Sequence, residues 1–242
     1  MDFTGRAVVV TGGTRGIGAA IASAFRKAGA QVLVCARHAT EEGAVQADVR
    51  DPEQAAALIE TAVERFGRLD VVVNNAGGAP PAAAATASPR LHAKIIELNL
   101  IAPLHVAQAA NAVMQKQPGG GLILMVGSVS GTRPSPGSAA YGAAKAGLHH
   151  LATSLAAEWA PAVRVNSVIP GPVGGAGLDP AAVARTVPMG RPATPEEVAG
   201  ACLLLASPEA AYVSGAALTV HGGGEWPGYL PKTLTPGGDG PS

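Results

Sequence analysis

Seven short apolar runs punctuate the chain: AVVVT (7–11), QVLVCA (31–36), AVQA (44–47), LDVVVN (69–74), GLILMV (121–126), VRVNSVI (163–169) and ALTV (217–220). Most are continuously apolar rather than alternating, which is the pattern of strands covered on both faces. The segments between them are Ala-rich and long enough for helices. This order predicts an α/β fold, a doubly wound parallel sheet of about seven strands with helices on both faces.

One device recurs where helices should begin, a cap residue followed by proline: Asp51-Pro52, Ser88-Pro89, Asp179-Pro180 and Thr194-Pro195. The cap oxygen accepts an orphan N–H, and proline at the first helical position gives up an N–H that would be unpaired anyway. Glu53, Glu196 and Glu197 then fall in first turns, where the helix dipole favours a negative charge. The longest helical segments are expected at 89–115 and 138–160. No internal repeat or linker divides residues 1–226, which read as one domain. Residues 227–242 are Pro/Gly-rich and read as an irregular C-terminal tail.

Composition narrows the class. Of 242 residues, 48% are hydrophobic but only 3% aromatic, so the core must be built from Ala, Val, Leu and Ile. Zero formal net charge removes the electrostatic case for nucleic acid or an anionic membrane as partner. No window offers the ~20 uninterrupted apolar residues of a membrane span, and the start lacks the pattern of a signal peptide. Cys35 and Cys202 lie in apolar stretches and read as buried thiols rather than a disulfide. A cytoplasmic location is the expectation. The six histidines show no ligand spacing, adjacent His149 and His150 point in different directions on a helix, and no metal site is expected.

TGGTRGIG (11–18) follows the first strand and opens the first helix. Its Gly12-x3-Gly16-x-Gly18 spacing differs from the common G-x-G-x-x-G, but the physics is shared. Glycines allow a tight turn and let a pyrophosphate reach free N–H groups at a helix N-terminus. An acid at the end of the second strand would bond the ribose of NAD; here Arg37 stands there, and Arg15 lies within the glycine loop. Two guanidiniums suit a 2′-phosphate and select NADP(H) over NAD(H). Asp48, at the end of the third strand, is in reach of an adenine edge.

SAAYGAAKAG (138–147) sets Tyr141 four residues before Lys145, on one helical face among small residues that leave room for a ligand. Ser128 and Ser130 lie in the preceding loop.

Taken in order, TGGTRGIG, NNAG (74–77), the Ser128–Tyr141–Lys145 spacing and Pro170-Gly171 resemble the short-chain dehydrogenase/reductase family, from about residue 4 to residue 224. The similarity is greatest to single-domain 3-oxoacyl carrier-protein reductases and related carbonyl reductases. The resemblance implies a Rossmann-type sheet and hydride transfer between NADP(H) and a small-molecule ketone, 3-oxoacyl or alcohol substrate. It selects Ser128 over Ser130 and assigns catalysis to Asn99, Ser128, Tyr141 and Lys145. Tyr141 would donate the proton and Ser128 would hold the carbonyl oxygen. Lys145 would grip the nicotinamide ribose and lower the Tyr141 pKa, and Asn99 would anchor a water linking Lys145 to solvent. The implied cofactor site comprises Gly12, Thr14, Arg15, Gly16, Ile17, Gly18, Arg37, Asp48, Val49, Asn75, Ala76, Gly77, Tyr141, Lys145, Pro170, Gly171 and Val173, with Asn74–Gly77 along its adenosine side. A homotetramer or homodimer, joined through the two long helices, is implied as well.

The chain departs from the family pattern in several places. Only ten residues (38–47) separate Arg37 from Asp48, so the adenine side should be more open. Gly175 stands where the family often has a nicotinamide-bonding Thr. The substrate loop up to Gly190-Arg191 is short and apolar, which favours an open or bulky-substrate pocket, and the tail outlasts the family's usual end. These departures motivate a second reading, a catalytically inactive NADP(H)-binding regulator or scaffold. No residues remain for the substrate domain of a nucleotide-sugar epimerase.

Overall fold

Alternate residues of the apolar runs feed two different cores. A computed structural model describes residues 1–39, 43–175 and 177–225; the predicted tail lies outside them. The strands are β1 (Ala7–Thr11), β2 (Gln31–Ala36), β3 (Val45–Gln46), β4 (Val71–Asn74), β5 (Gly121–Val126), β6 (Val163–Pro170) and β7 (Ala217–Val220). All pair in parallel in the order β3-β2-β1-β4-β5-β6-β7. Val8, Val10, Val71, Val73, Leu122 and Leu124 pack on one face of the sheet. Val9, Val72, Ile123 and Met125 pack on the other. Each face is covered by helices, so a central strand has no polar side to show.

The helices are α1 (Gly16–Lys27), α2 (Pro52–Phe66), α3 (Pro89–Ile96), α4 (Ala102–Met114), α5 (Ala139–Trp159), α6 (Pro180–Ala184) and α7 (Pro195–Ala206). Ile21 and Phe25 of α1 and Val198 and Cys202 of α7 fill the first core with Phe3, whose ring meets Phe25 edge-on at 5.1 Å. Leu58 and Ile59 of α2, Val106 and Ala110 of α4, and Leu148 and Ala152 of α5 fill the second. This is a single-domain, Rossmann-like sheet. The order of strands reverses between β1 and β4, and that switch point opens a crevice at the strands' carboxyl ends.

All four cap–proline pairs begin helices as read. Asp51 accepts from Glu53 N at 2.9 Å, Ser88 from Leu91 N at 3.2 Å, and Asp179 from Ala181 N at 2.9 Å. Thr194 accepts from Glu197 N at 3.2 Å while the Glu197 carboxylate accepts from Thr194 N at 2.8 Å, a reciprocal capping box.

The long helix expected over 89–115 is interrupted. A π turn, Glu97–Ile101, separates α3 from α4. Two residues explain it. Pro103 has no N–H to offer the carbonyl of Asn99 four residues back. The Asn99 side chain donates to Ile95 O at 2.9 Å, occupying a carbonyl of the preceding turn.

Candidate active site

The crevice is a groove of ≈ 850 Å³ that runs from Arg15 and Arg37 at one end to Ser128, Tyr141 and Lys145 at the other. Gly12, Thr14, Gly16, Ile17, Gly18, Asp48, Val49, Asn75, Ala76, Gly77, Pro170, Gly171 and Val173 line it between them. Every cofactor-site residue named from the sequence except Asn74 therefore lines this groove. Asn99 does not: it is fully buried beneath the groove floor.

The glycine loop is shaped by close approach. A Cβ on Gly18 would stand 2.2 Å from Gly12 O and 2.4 Å from Asn75 Nδ2, so no side chain fits there. Gly12 itself has φ of 62°, a left-handed conformation that glycine adopts without strain. Asn75 fastens the loop by donating to Thr11 O at 2.9 Å and Gly12 O at 3.1 Å. In contrast to α2 and α7, α1 has neither a side-chain cap nor an acid in its first turn. Its leading N–H groups face a groove with no carboxylate of their own helix beside them. That donor set fits the pyrophosphate of a dinucleotide.

Among the described residues Asp48 is the one carboxylate lining the groove, and it is already paired. Arg50 Nε donates to its two oxygens at 2.9 and 3.1 Å, and the same guanidinium closes a second contact through Nη2. This pairing holds Asp48 below the usual carboxylate range. Its charge is thus offset at the end where Arg15 and Arg37 stand exposed. Asn74, expected with its neighbours along the adenosine side, turns the other way. It is buried and donates to Pro103 O at 3.2 Å, because successive strand residues point to opposite faces.

At the other end, α5 presents Tyr141, Lys145 and His149 at four-residue intervals to the loop that follows β5. Lys145 is 4% exposed, donates to Val126 O at 2.8 Å, and lies 5.7 Å from the centre of the Tyr141 ring. Burial lowers its pKa to about 8. Burial likewise pushes the Tyr141 phenol above its ordinary value, while a hydrogen bond with Ser128 acts downward. In this burial-dominated setting the direction is upward, while one N–H of the Lys145 ammonium is spent on the Val126 carbonyl. Ser128 Oγ accepts from Ser130 N at 3.2 Å, which leaves the hydroxyl hydrogen free to donate elsewhere.

Asn99 serves the floor of the groove. Its Oδ1 accepts from Gly78 N at 2.8 Å and its Nδ2 donates to Gly78 O at 2.9 Å, a reciprocal pair that fixes the backbone under Tyr141's end. A Cβ on Gly77 would meet Asn99 Oδ1 at 2.7 Å, so glycine is required where the loop after β4 passes over it.

Sequence reasoning passed over His149, whose Nε2 accepts the N–H of Ser128 at 3.3 Å. The signal was available: His149 stands one turn beyond Lys145 on the stripe that Tyr141 begins. His150 is exposed. Among the described residues, no cluster of three or more His, Cys, Asp or Glu side chains has metal-binding geometry, and no helix is long and apolar enough to cross a membrane.

Such a groove, with a glycine loop at one end and a Tyr–Lys–Ser cluster at the other, belongs to nucleotide-linked oxidoreductases. A family model described as enoyl-(acyl carrier protein) reductase matches residues 12–225. The chain is 36% identical to a 3-oxoacyl-acyl-carrier-protein reductase of Vibrio cholerae, over 92% of this chain and 98% of that one. It is 35% identical to a 3alpha-hydroxysteroid dehydrogenase of Mediterraneibacter gnavus, over 92% and 98% respectively. Among solved structures it superposes on the ligand-free aldohexose dehydrogenase of Thermoplasma acidophilum with a TM-score of 0.85 and 29% identity, covering 91% of this chain and 94% of the other. The chain belongs to the short-chain dehydrogenase/reductase family, oxidoreductases that act on small molecules with nicotinamide cofactors.

Proposed function

We propose that the protein is an NADP(H)-dependent reductase of a ketone or 3-oxoacyl compound, with Tyr141 as its acid–base group. The observation that carries this reading is the convergence of Tyr141, Ser128 and Lys145 on one end of a groove whose other end bears Arg15 and Arg37. The relatives above add support, since 3-oxoacyl reduction and 3α-hydroxysteroid oxidation both interconvert a carbonyl and a secondary alcohol.

When bound, NADPH supplies a hydride to the carbonyl carbon. Gly12, Gly16 and the N–H groups opening α1 would hold its pyrophosphate, Arg15 and Arg37 its 2′-phosphate, and Pro170, Gly171 and Val173 its nicotinamide end. Tyr141 gives its phenolic proton to the carbonyl oxygen, and Ser128 donates a hydrogen bond to the same atom. A phenol held above its ordinary pKa keeps its proton at neutral pH but gives it up reluctantly. Lys145 supplies the compensating charge as the phenolate forms: one of its three N–H bonds is spent on Val126, and the others remain for the ribose hydroxyls and the Tyr141 side. Asn99 keeps the floor in place through Gly78.

Two further parts of the proposal rest on smaller observations. Ile96 and Ile101 are exposed on consecutive turns of the long helical segment, which supports a homodimer or homotetramer joined there. Cys35 and Cys202 are buried free thiols, which suits the reducing cytoplasm.

The test is Tyr141→Phe, assayed by NADPH absorbance against 3-oxoacyl thioesters, ketosteroids, quinones and small ketones. Turnover should vanish with every active substrate while NADPH binding persists. Retention of full activity would sink the mechanism, and an inert wild type that binds NADPH tightly would favour the non-catalytic reading.

A further inference from the structure

We infer that His149 is a positioning residue for Ser128: its imidazole sits beneath the loop after β5 and holds the Ser128 backbone at the height at which its hydroxyl meets Tyr141. This rests on the catalytic reading of Ser128 and Tyr141 given above.

Three observations converge on it. The first is the bond from Ser128 N to His149 Nε2 at 3.3 Å, across 21 residues of sequence. The second is the seat of the ring. A Cβ on Gly127 would fall 2.2 Å from His149 Nε2, and one on Gly131 would fall 2.9 Å from Cε1. The imidazole therefore fills the space that a side chain at position 127 would need, and at Gly131 it crowds the same side as the α5 backbone, where Ala146 N lies at 2.6 Å. The third is direction: Ser128 is extended, with φ of −167°, and caps the short helical turn Val129–Gly131. With its N–H directed down to His149 and its Oγ accepting from Ser130 N, its hydroxyl hydrogen is left for the groove.

The arrangement works in one protonation state only. An Nε2 that accepts must carry no proton, so the ring is neutral with its proton on Nδ1. Burial and the Lys145 charge one turn away hold the imidazole pKa down to about 4, so this state persists throughout the neutral range. Lys145 thus has a second effect through α5. It stabilises negative charge at Tyr141 and keeps the supporting ring uncharged. A small displacement of a hydrogen-bonding group costs far more in rate than in binding, because the bond must be made in the transition state.

The experiment compares His149→Leu, which fills the same space without an acceptor, with His149→Gln, whose Oε1 can take the place of Nε2. Steady-state kinetics are measured with the best carbonyl substrate of the panel, alongside melting temperature and Tyr141→Phe. His149→Leu should lower kcat about tenfold while leaving the KM for NADPH within about twofold, and His149→Gln should recover most of that loss. Equal losses in Leu and Gln would reduce His149 to packing and overturn the inference. So would no loss in either. If Tyr141→Phe keeps full activity, the catalytic reading falls and this inference with it. Should both His149 variants fail to fold, 15N NMR of the wild type decides: Nε2 unprotonated and Nδ1 protonated at neutral pH is required, and the opposite tautomer overturns it.

Discussion

The ammonium of Lys145 donates to the carbonyl oxygen of Val126, 19 residues earlier and at the end of β5. A cation is thereby tethered to the sheet at the point where β5 gives way to the loop carrying Ser128. With a folded pKa of about 8 against 10.5 unfolded, the folded chain releases this proton first. Between those values the unfolded state binds more protons, so stability from this group is fully present above pH 10.5 and is lost as pH falls through 8. Over that window the wild type should gain about 3 kcal/mol relative to Lys145→Met. Denaturant titrations of both proteins at pH 7.5 and 10.5 check this. Subtracting the two slopes cancels Cys35 and Cys202, whose raised pKa values act in the opposite sense. Parallel profiles would refute it.

The proposed preference for NADPH rests on Arg15 and Arg37, which form no ion pair among the described residues. Arg15 and Arg37 line the groove while Asp48 is neutralised by Arg50. Arg37→Ala and Arg15→Ala should each weaken NADPH binding about tenfold and leave NADH nearly unchanged, since a charge-assisted hydrogen bond is worth ~1.5–3 kcal/mol. Arg37→Asp should reverse the preference. Titration of cofactor fluorescence reads all three, and equal or tighter NADH binding by the wild type would defeat the assignment.

Gly18→Ala tests the glycine loop apart from its charges. The added methyl has nowhere to go, because the atoms it meets are the Gly12 carbonyl and the Asn75 amide that fastens the loop. A cost of about 1–3 kcal/mol in stability is expected from overpacking, with loss of cofactor binding. Wild-type melting temperature and NADPH affinity together would show that the loop moves aside freely.

Far from the site, Asp70 ties the start of the sheet. It is buried and accepts from Arg6 at 2.8 Å, Ala7 N at 2.8 Å, and Arg68 at 2.6 and 2.7 Å. Asp70→Ala leaves the Ala7 N–H without this acceptor and should destabilise by about 2–3 kcal/mol in urea titrations with little change in KM. A change below 0.5 kcal/mol would mean that water replaces the carboxylate.

How much could be read without coordinates depended on how local each cause was. A proline after Asp51, Ser88, Asp179 or Thr194 announces a helix start within two residues, and all four were legible. The apolar runs gave all seven strands, because a buried parallel strand carries its burial in its own composition. Non-local partners stayed hidden. Nothing near Lys145 indicates that its ammonium goes to Val126, and nothing near Tyr141 indicates the burial that raises its phenol. Asn74 was grouped with Asn75, although adjacent strand residues must face apart. His149 was read against its neighbour His150 instead of against Lys145, four residues back. Asn99 and Pro103 carry a local cause for the π turn, but apolar periodicity over five residues cannot separate a π turn from a continuous α-helix.

That π turn also sets a phase. Each residue of an α-helix advances the side chains by about 100° around the axis, so a wider turn at 97–101 rotates everything after it relative to everything before. Asn99 grips Gly78 at the turn itself, which makes the groove floor the reference point for both halves. Removing one residue from 97–101 would leave the composition of α3 and α4 intact yet swing exposed Ile96 and Ile101 out of their present alignment. The spacing of that segment, more than any side chain on it, is what the catalytic end and the proposed subunit contact hold in common.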